Sequence, residues 1–166
     1  MFRYVSAFFV MLVMLQIHCL AEENTEEKQV VKEEKPLDEK DLMKIIVDFH
    51  KFAVKKGSRR SNETINHQRD VEKSLQGKLV HATLDDTRIK NDGTTVRFRS
   101  KNKRVAKSGK NDVYVYVIID LKCKTKEDAN ATGNIASGKI TGVGISGGCG
   151  INHSKMLGIS VTRDDN

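Results

Sequence analysis

The segment 112–123 constrains the fold more than any other part of the sequence. Its centre, residues 114–119, reads Tyr-Val-Tyr-Val-Ile-Ile. Successive side chains of a β-strand point to opposite faces, so both faces of this strand are apolar. A strand of this kind is buried on both sides, and we predict that it is central in its sheet.

Four further segments have the composition and the period of two that are typical of strands. They are residues 78–84, 94–99, 136–145 and 156–162. The second of them follows an Asn-Asp-Gly turn, which favours a hairpin. Asp85 and Asp86 are expected in a loop, because they precede Thr87 in a composition usual for turns.

The chain before these strands has the period of a helix. Apolar residues recur there at spacings of three and four, namely Leu42, Ile45, Ile46, Phe49, Phe52 and Ala53. This pattern predicts a helix over 38–56, with His50 on its polar side, and a weaker pattern predicts a second helix over 63–76. The sequence therefore predicts an α+β fold, in which one or two N-terminal helices pack on a curved antiparallel sheet of about five strands.

The first 21 residues have the features of a secretory signal peptide. Arg3 precedes an apolar stretch, and small residues lead to a cleavage site after Ala21. The apolar stretch is shorter than the roughly 20 residues that a bilayer core requires, and no later segment is long enough, so we predict a secreted chain with no transmembrane segment in its mature form.

Charge is distributed unevenly along the rest of the chain. Residues 22–41 carry nine acids and four lysines, whereas residues 42–166 carry 24 bases and 13 acids. Acidic segments with little apolar content are usually solvated, so residues 22–40 are predicted to be a disordered arm. Residues 41–166 are then a single α+β domain.

Two cysteines and three glycosylation sequons agree with export. After removal of the signal peptide Cys123 and Cys149 remain, and in an oxidising compartment they are expected to form one disulfide. Closing a loop of about 27 residues would stabilise the fold by ~3 to 4 kcal/mol. The sequons predict glycosylation at Asn62, Asn130 and Asn152.

Basic residues form two clusters that are candidates for anion binding. The first cluster is Arg97, Arg99, Lys101, Lys103, Arg104, Lys107 and Lys110, and the second is Lys55, Lys56, Arg59 and Arg60. Extracellular polyanions are the candidate partners, whereas nucleic acid is disfavoured because the first cluster lacks aromatic stacking platforms and a groove-reading helix. A solvated hairpin tip would also explain the first cluster.

Glycine motifs and histidines do not indicate a cofactor or a metal. Residues 142–147 satisfy GxGxxG, but too few residues follow for the crossover helix of a dinucleotide site, so a glycine-rich bend or bulge is expected. Residues 133–139 resemble a phosphate-binding loop, but Ile140 replaces the required Ser or Thr. The histidines lack metal-site spacing, and we predict no catalytic residues.

The order of helices before strands, together with Ile-Ala-Ser-Gly-Lys-Ile at residues 135–140, resembles the nuclear-transport-factor-2-like or cystatin-like α+β roll. The resemblance implies a small secreted domain. It does not imply protease inhibition, because the Gln-x-Val-x-Gly hairpin and the tryptophan of cystatins are missing.

Three hypotheses for function follow. The first is a secreted, non-enzymatic binding protein whose basic surface contacts an extracellular protein or a sulfated glycan. The second is a roll with a pocket that binds or acts on a small apolar ligand, with Tyr114, Tyr116, His81 and Asp120 as its polar groups. The third is a precursor cut at the dibasic pairs at 59–60 and 103–104.

Overall fold

The computed structural model describes residues 35–56, 61–108, 111–147 and 154–163. Their elements, in chain order, are α1 (Glu39–Lys55), α2 (Asn62–Leu75), β1 (Leu79–Thr83), β2 (Asp86–Ile89), β3 (Thr95–Arg99), β4 (Lys103–Ser108), β5 (Asn111–Lys122), α3 (Lys126–Ala131), β6 (Ile135–Gly147) and β7 (Lys155–Thr162). The predicted α+β class, both N-terminal helices and all five predicted strands are confirmed. Two short strands, β2 and β4, and the short helix α3 were not predicted, and Asp86 opens β2 instead of lying in a loop.

Helix α1 begins at a reciprocal cap. The Asp38 carboxylate accepts a hydrogen bond from the Asp41 amide at 2.9 Å, and the Asp41 carboxylate accepts one from the Asp38 amide at 3.3 Å. The predicted apolar stripe is buried against the sheet, including Ile46 and Phe49.

His50 belongs to the buried face of α1, so its predicted place on the polar side is wrong. It follows Ile46 by four residues, and this spacing puts it on the same face of the helix. Its side chain is 3% exposed. Burial lowers the pKa of the His50 imidazole, and the nearby charge of Lys155 lowers it further.

The sheet is a strongly curled half-barrel of seven strands. Its order is β1-β6-β7-β5-β3-β2, and β4 pairs with β5 beyond the end of β3. The predicted central position of β5 is confirmed, since it pairs with β7 on one side and with β3 and β4 on the other.

The sheet is mixed and not purely antiparallel, because β5 and β7 run parallel. Strand β6 follows β5 in the chain but is not its neighbour in the sheet. Strand β7 comes next in the chain and lies between β5 and β6. Strand β7 is therefore antiparallel to β6 and parallel to β5. The GxGxxG motif, where a glycine-rich bend or bulge was expected, lies within β6 and begins at a register irregularity between Ile140 and Gly142.

The core between the helices and the concave face of the sheet is filled with apolar side chains. Those buried most fully, at 1% exposure or less, include Leu42, Ile46, Phe49, Val80, Val96, Phe98, Val115, Val117, Ile119, Ile140 and Leu157. Alternate positions of β5 from Val113 to Leu121 all point into this core. At ~1.5 to 3 kcal/mol for each fully buried large apolar side chain, this layer is the main stabilising feature of the domain.

Side chains of α2 cover the part of β6 that β1 leaves unpaired. The Gln68 amide donates to the Ile145 carbonyl at 3.2 Å, and the Glu72 carboxylate accepts from the Ile145 amide at 3.2 Å. The Gln76 amide donates to the Thr141 carbonyl at 2.7 Å. These bonds satisfy backbone groups that an open sheet edge would expose.

Folded structure begins within the stretch that was predicted to be a disordered arm. The Leu37 amide donates to the Leu79 carbonyl, and the Leu37 carbonyl accepts from the His81 amide, both at 2.9 Å. Leu37 thus extends the edge of β1, and α1 follows directly. The predicted signal peptide and the arm up to residue 34 lie outside the described residues.

Candidate anion-binding groove

Strands β3 and β4 act as one long strand that a bulge divides. The Ser100 amide donates to the Val117 carbonyl at 3.0 Å, and the Val117 amide donates to the Ser100 hydroxyl at 2.9 Å. Arg99 pairs with Ile118 but Lys103 pairs with Val115, so the β4 side contains one extra residue. Because the Val115 side chain is buried, the bulge places Lys103 on the side of the sheet that carries α1.

The arginines of the first basic cluster lie on the outer face and contact the chain itself. The Arg97 guanidinium donates to both carboxylate oxygens of Asp120, at 2.8 and 2.9 Å. Arg104 lies 3.0 Å from the Asp112 carboxylate. Each of these guanidinium charges is thus offset by a carboxylate of the chain itself.

Two further contacts complete this outer surface. The Lys90 ammonium donates to Asp120 at 2.7 Å, and the Arg99 guanidinium lies 4.7 Å from the centre of the Tyr116 ring. The hydrogen bond from Arg97, with a smaller contribution from Lys90, lowers the pKa of Asp120 against the opposing effect of burial.

Lysines of α1 and β4 line an open groove on the other side of the sheet. Four lysines line it, Lys40, Lys44 and Lys51 on α1 and Lys103 on β4, together with the apolar residues Met43 and Val47 and the carboxylates Glu39 and Asp48. The cavity has a volume of about 440 Å³. We call this feature, with these eight residues, the lysine groove.

The lysine groove has an excess of positive charge. All four of its lysines are exposed, and among the described residues Lys40, Lys44 and Lys103 have no carboxylate within salt-bridge distance. Lys51 lies 3.3 Å from Asp48, in a pair whose side chains are 72% and 54% exposed, so solvent screens it.

Glu39 is one of the two carboxylates that line the groove. Burial raises the pKa of its carboxyl, and repulsion from Asp85 raises it further, while Lys101 acts in the opposite direction. The carboxyl therefore accepts a proton more readily than an ordinary glutamate, and the groove becomes more positive when it does.

The remaining predicted anion-binding residues are scattered. Lys101 lies 3.1 Å from Asp85, and Lys56 lies 2.6 Å from Glu63. Lys55 is exposed one turn beyond Lys51, and Lys107 is exposed on the outer side of β4. Lys110, Arg59 and Arg60 lie outside the described residues.

The three lysines that α1 contributes to the groove were not among the predicted anion-binding residues. Their signal was present, because Lys40, Lys44 and Lys51 are separated by four and seven residues and so share one face of a helix. This helical spacing is hard to recognise in the sequence, because acidic and apolar residues separate the lysines and no basic cluster forms.

The cysteine and sequon predictions are only partly located by the structure. Cys123 is buried, with its sulfur 3.7 Å from the Thr132 hydroxyl, whereas Cys149 is outside the described residues. Asn62 and Asn130 are exposed, at the start of α2 and within α3. Asn152 is also outside the described part, and the disulfide and glycosylation stay predictions.

The second hypothesis was a pocket for a small apolar ligand. The four polar residues predicted for it do not line a common interior pocket. Tyr114, Tyr116 and Asp120 lie on the outer face of β5, and His81 is exposed on β1 beside the Ser137 hydroxyl at 3.3 Å. For the third hypothesis, the pair at 103–104 lies within β4, where pairing with β5 protects it from a protease. The pair at 59–60 includes no described residue.

Within the described ranges, no group of three or more histidine, cysteine or acidic side chains could hold a metal ion. None of the helices in this part of the chain is long and apolar enough to cross a membrane.

Comparison with protein-family models, with curated proteins and with solved structures found no significant match. The resemblance to the nuclear-transport-factor-2-like or cystatin-like roll therefore stays a prediction based on the order of elements.

Proposed function

We propose that this chain is a secreted, non-enzymatic binding protein that holds an anionic extracellular partner in the lysine groove. The proposal includes export, which is supported by the signal-like first 21 residues and the three sequons. The sequence led us to expect a broad basic surface as the binding site. We now propose a more confined site, the groove that α1 and β4 form.

The observation that carries the proposal is that Lys40, Lys44 and Lys103 converge on one cavity from α1 and β4 without carboxylate partners in the described structure. Arg97 and Arg104 are paired with aspartates, whereas these three lysines are unpaired cations that face one cavity together. Each unit charge at about 4 Å contributes roughly 1 kcal/mol in water, so three lysines together can change an affinity by about a hundredfold.

The test compares two triple variants of equal net charge, made from the chain secreted by cultured cells. In the groove variant Lys40, Lys44 and Lys103 are changed to Gln. In the control, the exposed residues Lys73, Lys122 and Lys139, none of which lines the groove, are changed to Gln. A sulfated oligosaccharide derived from heparin is the probe, as a simple polyanion, and calorimetry gives its dissociation constant at several salt concentrations.

We expect the groove variant to lose affinity roughly a hundredfold and to show a smaller dependence on salt, since fewer counterions are displaced. The control variant should lose less than about threefold, because distant exposed charges are screened. Equal losses in the two variants would show that net charge alone attracts the probe, and the proposal would then be wrong.

A further inference from the structure

The lysine groove is not purely polar, and this property limits the chemistry of its partner. Met43 and Val47 are partly buried in its floor, one turn apart on α1. Val54 continues the same row seven residues further on and is 43% exposed. An apolar row therefore runs beside the row of Lys40, Lys44 and Lys51.

Lysine side chains add to this apolar strip. Each has a four-carbon stem that can lie along apolar surface while its ammonium remains in water. Lys44 and Lys51 on one wall and Lys103 on the other can thus cover an apolar occupant with their stems and contact anions at the rim with their ammonium groups. The groove offers apolar contact at the bottom and positive charge on both sides.

We propose that the partner held in the lysine groove is an acidic peptide segment with apolar side chains on one face; this inference rests on the proposed function. Such a segment satisfies both properties of the groove, as amphipathic peptides do when they dock in grooves. A sulfated glycan would use the lysines and leave the apolar row without a function. An anionic membrane would require a broad apolar face, whereas Val54 is the large apolar residue of α1 that is substantially exposed.

The length of the apolar row sets the length of the segment. Met43 and Val54 are eleven positions apart, which corresponds to about 16 Å along a helix at 1.5 Å per residue. A helical segment of about eleven residues, or an extended one of about five, spans this distance.

The test uses two synthetic peptides of about twelve residues, rich in glutamate. In the first, three positions at helical spacing are valine, and in the second they are serine, so the two peptides have the same charge. Fluorescence anisotropy measures the binding of each to the secreted chain, to the groove variant with its three lysines changed to Gln, and to Val54→Ser. The heparin-derived oligosaccharide and vesicles of anionic phospholipid are measured in parallel.

We expect the valine peptide to bind at least about tenfold more tightly than the serine peptide, because three partly buried side chains gain apolar contact. Val54→Ser should weaken the valine peptide about three- to fivefold and leave the serine peptide unchanged. Since Val54 is 43% exposed, this substitution leaves the fold intact, and circular dichroism checks that it does.

Equal binding of the two peptides would overturn the inference, and so would tighter binding of the oligosaccharide or the vesicles with no effect of Val54→Ser. In these cases the proposed function stands if the groove lysines still matter. Loss of dependence on Lys40, Lys44 and Lys103 for every probe would instead remove the proposed function itself.

Discussion

Replacement of Ser100 by Ala tests whether one buried hydroxyl builds the lysine groove. Ser100 is 3% exposed, and its hydroxyl accepts the hydrogen bond of the Val117 amide at 2.9 Å. In the same bulge the Ser100 amide donates to the Val117 carbonyl at 3.0 Å, so both backbone groups of Val117 bond to Ser100. Alanine at this position leaves a buried N–H group of the central strand unsatisfied.

The expected cost follows from the chemistry of the lost bond. A buried donor without a partner costs about 1 to 3 kcal/mol. In a domain of this size each kcal/mol shifts the melting temperature by roughly 2 to 4 °C, so a loss of about 2 kcal/mol lowers it by about 4 to 8 °C. Ser137→Ala is the matched control, because Ser137 is exposed on β6, and it should shift the melting temperature by less than about 2 °C.

The bulge also determines which side of the sheet Lys103 occupies. Without the extra residue Lys103 would pair with Tyr114, whose side chain is on the outer face, instead of Val115. If Ser100→Ala relaxes the bulge, it should therefore weaken binding of the oligosaccharide about as much as Lys103→Gln does.

Calorimetric melting and hydrogen exchange of the Val117 amide measure these effects. An amide that remains protected, in a variant as stable as Ser137→Ala, would falsify the assignment of the hydroxyl as the acceptor that holds the bulge.

Two further predictions concern the stability of the sheet. Asp120→Asn should lower the free energy of unfolding by about 1 kcal/mol at pH 7, because it removes the charge that holds Arg97 and Lys90. The folded-state pKa of Asp120 is lowered, so the Asp120 carboxylate stabilises the fold above its unfolded pKa near 4, and this stabilisation is lost as the pH falls further. Urea titrations should therefore show a smaller difference in the free energy of unfolding between the wild type and Asp120→Asn at pH 3 than at pH 7. A constant difference would contradict the ion-pair explanation. Gly138→Ala should lower the melting temperature by about 10 °C, because Gly138 has a φ of +150° and an added Cβ would collide with backbone. Gly144→Ala is the control: an added Cβ there meets nothing within 4 Å, so the melting temperature should stay unchanged or rise slightly. Similar melting temperatures for the two variants would contradict this distinction.

The parts of the fold that were predictable from sequence are those whose periodicity is carried by several residues. The apolar stripe of α1 and the two-faced apolar run of β5 each contain enough positions to define a period. Strand β2 has four residues, all exposed, and so lacks the alternation that marks a strand. Strand β4 lost its alternation to the irregularity between Arg104 and Ala106, which shifts side chains from one face to the other.

The parallel pairing of β5 and β7 depends on information that no local pattern contains. Short connections between consecutive strands favour antiparallel neighbours, and this expectation is correct for β6 and β7. The position of β7 beside β5 is decided by how two apolar strands share the same core, because alternate residues of both, such as Val117 and Leu157, are fully buried. Such a choice follows from packing of the whole sheet.

The position of acidic residues across the sheet decides which basic residues are paired with a carboxylate. In the sequence Arg97 and Arg104 look as available as Lys103, since all three belong to one basic cluster. Asp120 is more than twenty residues from Arg97 along the chain, and Asp112 is about eight residues from Arg104. In the folded sheet each aspartate lies beside its arginine and offsets its charge. A cation with a carboxylate at about 3 Å presents a weak field to a distant anion, whereas an unpaired ammonium presents its full charge. The unpaired lysines of the described residues therefore include three that line the groove, and this distinction between paired and unpaired cations is not visible in a count of basic residues along the chain.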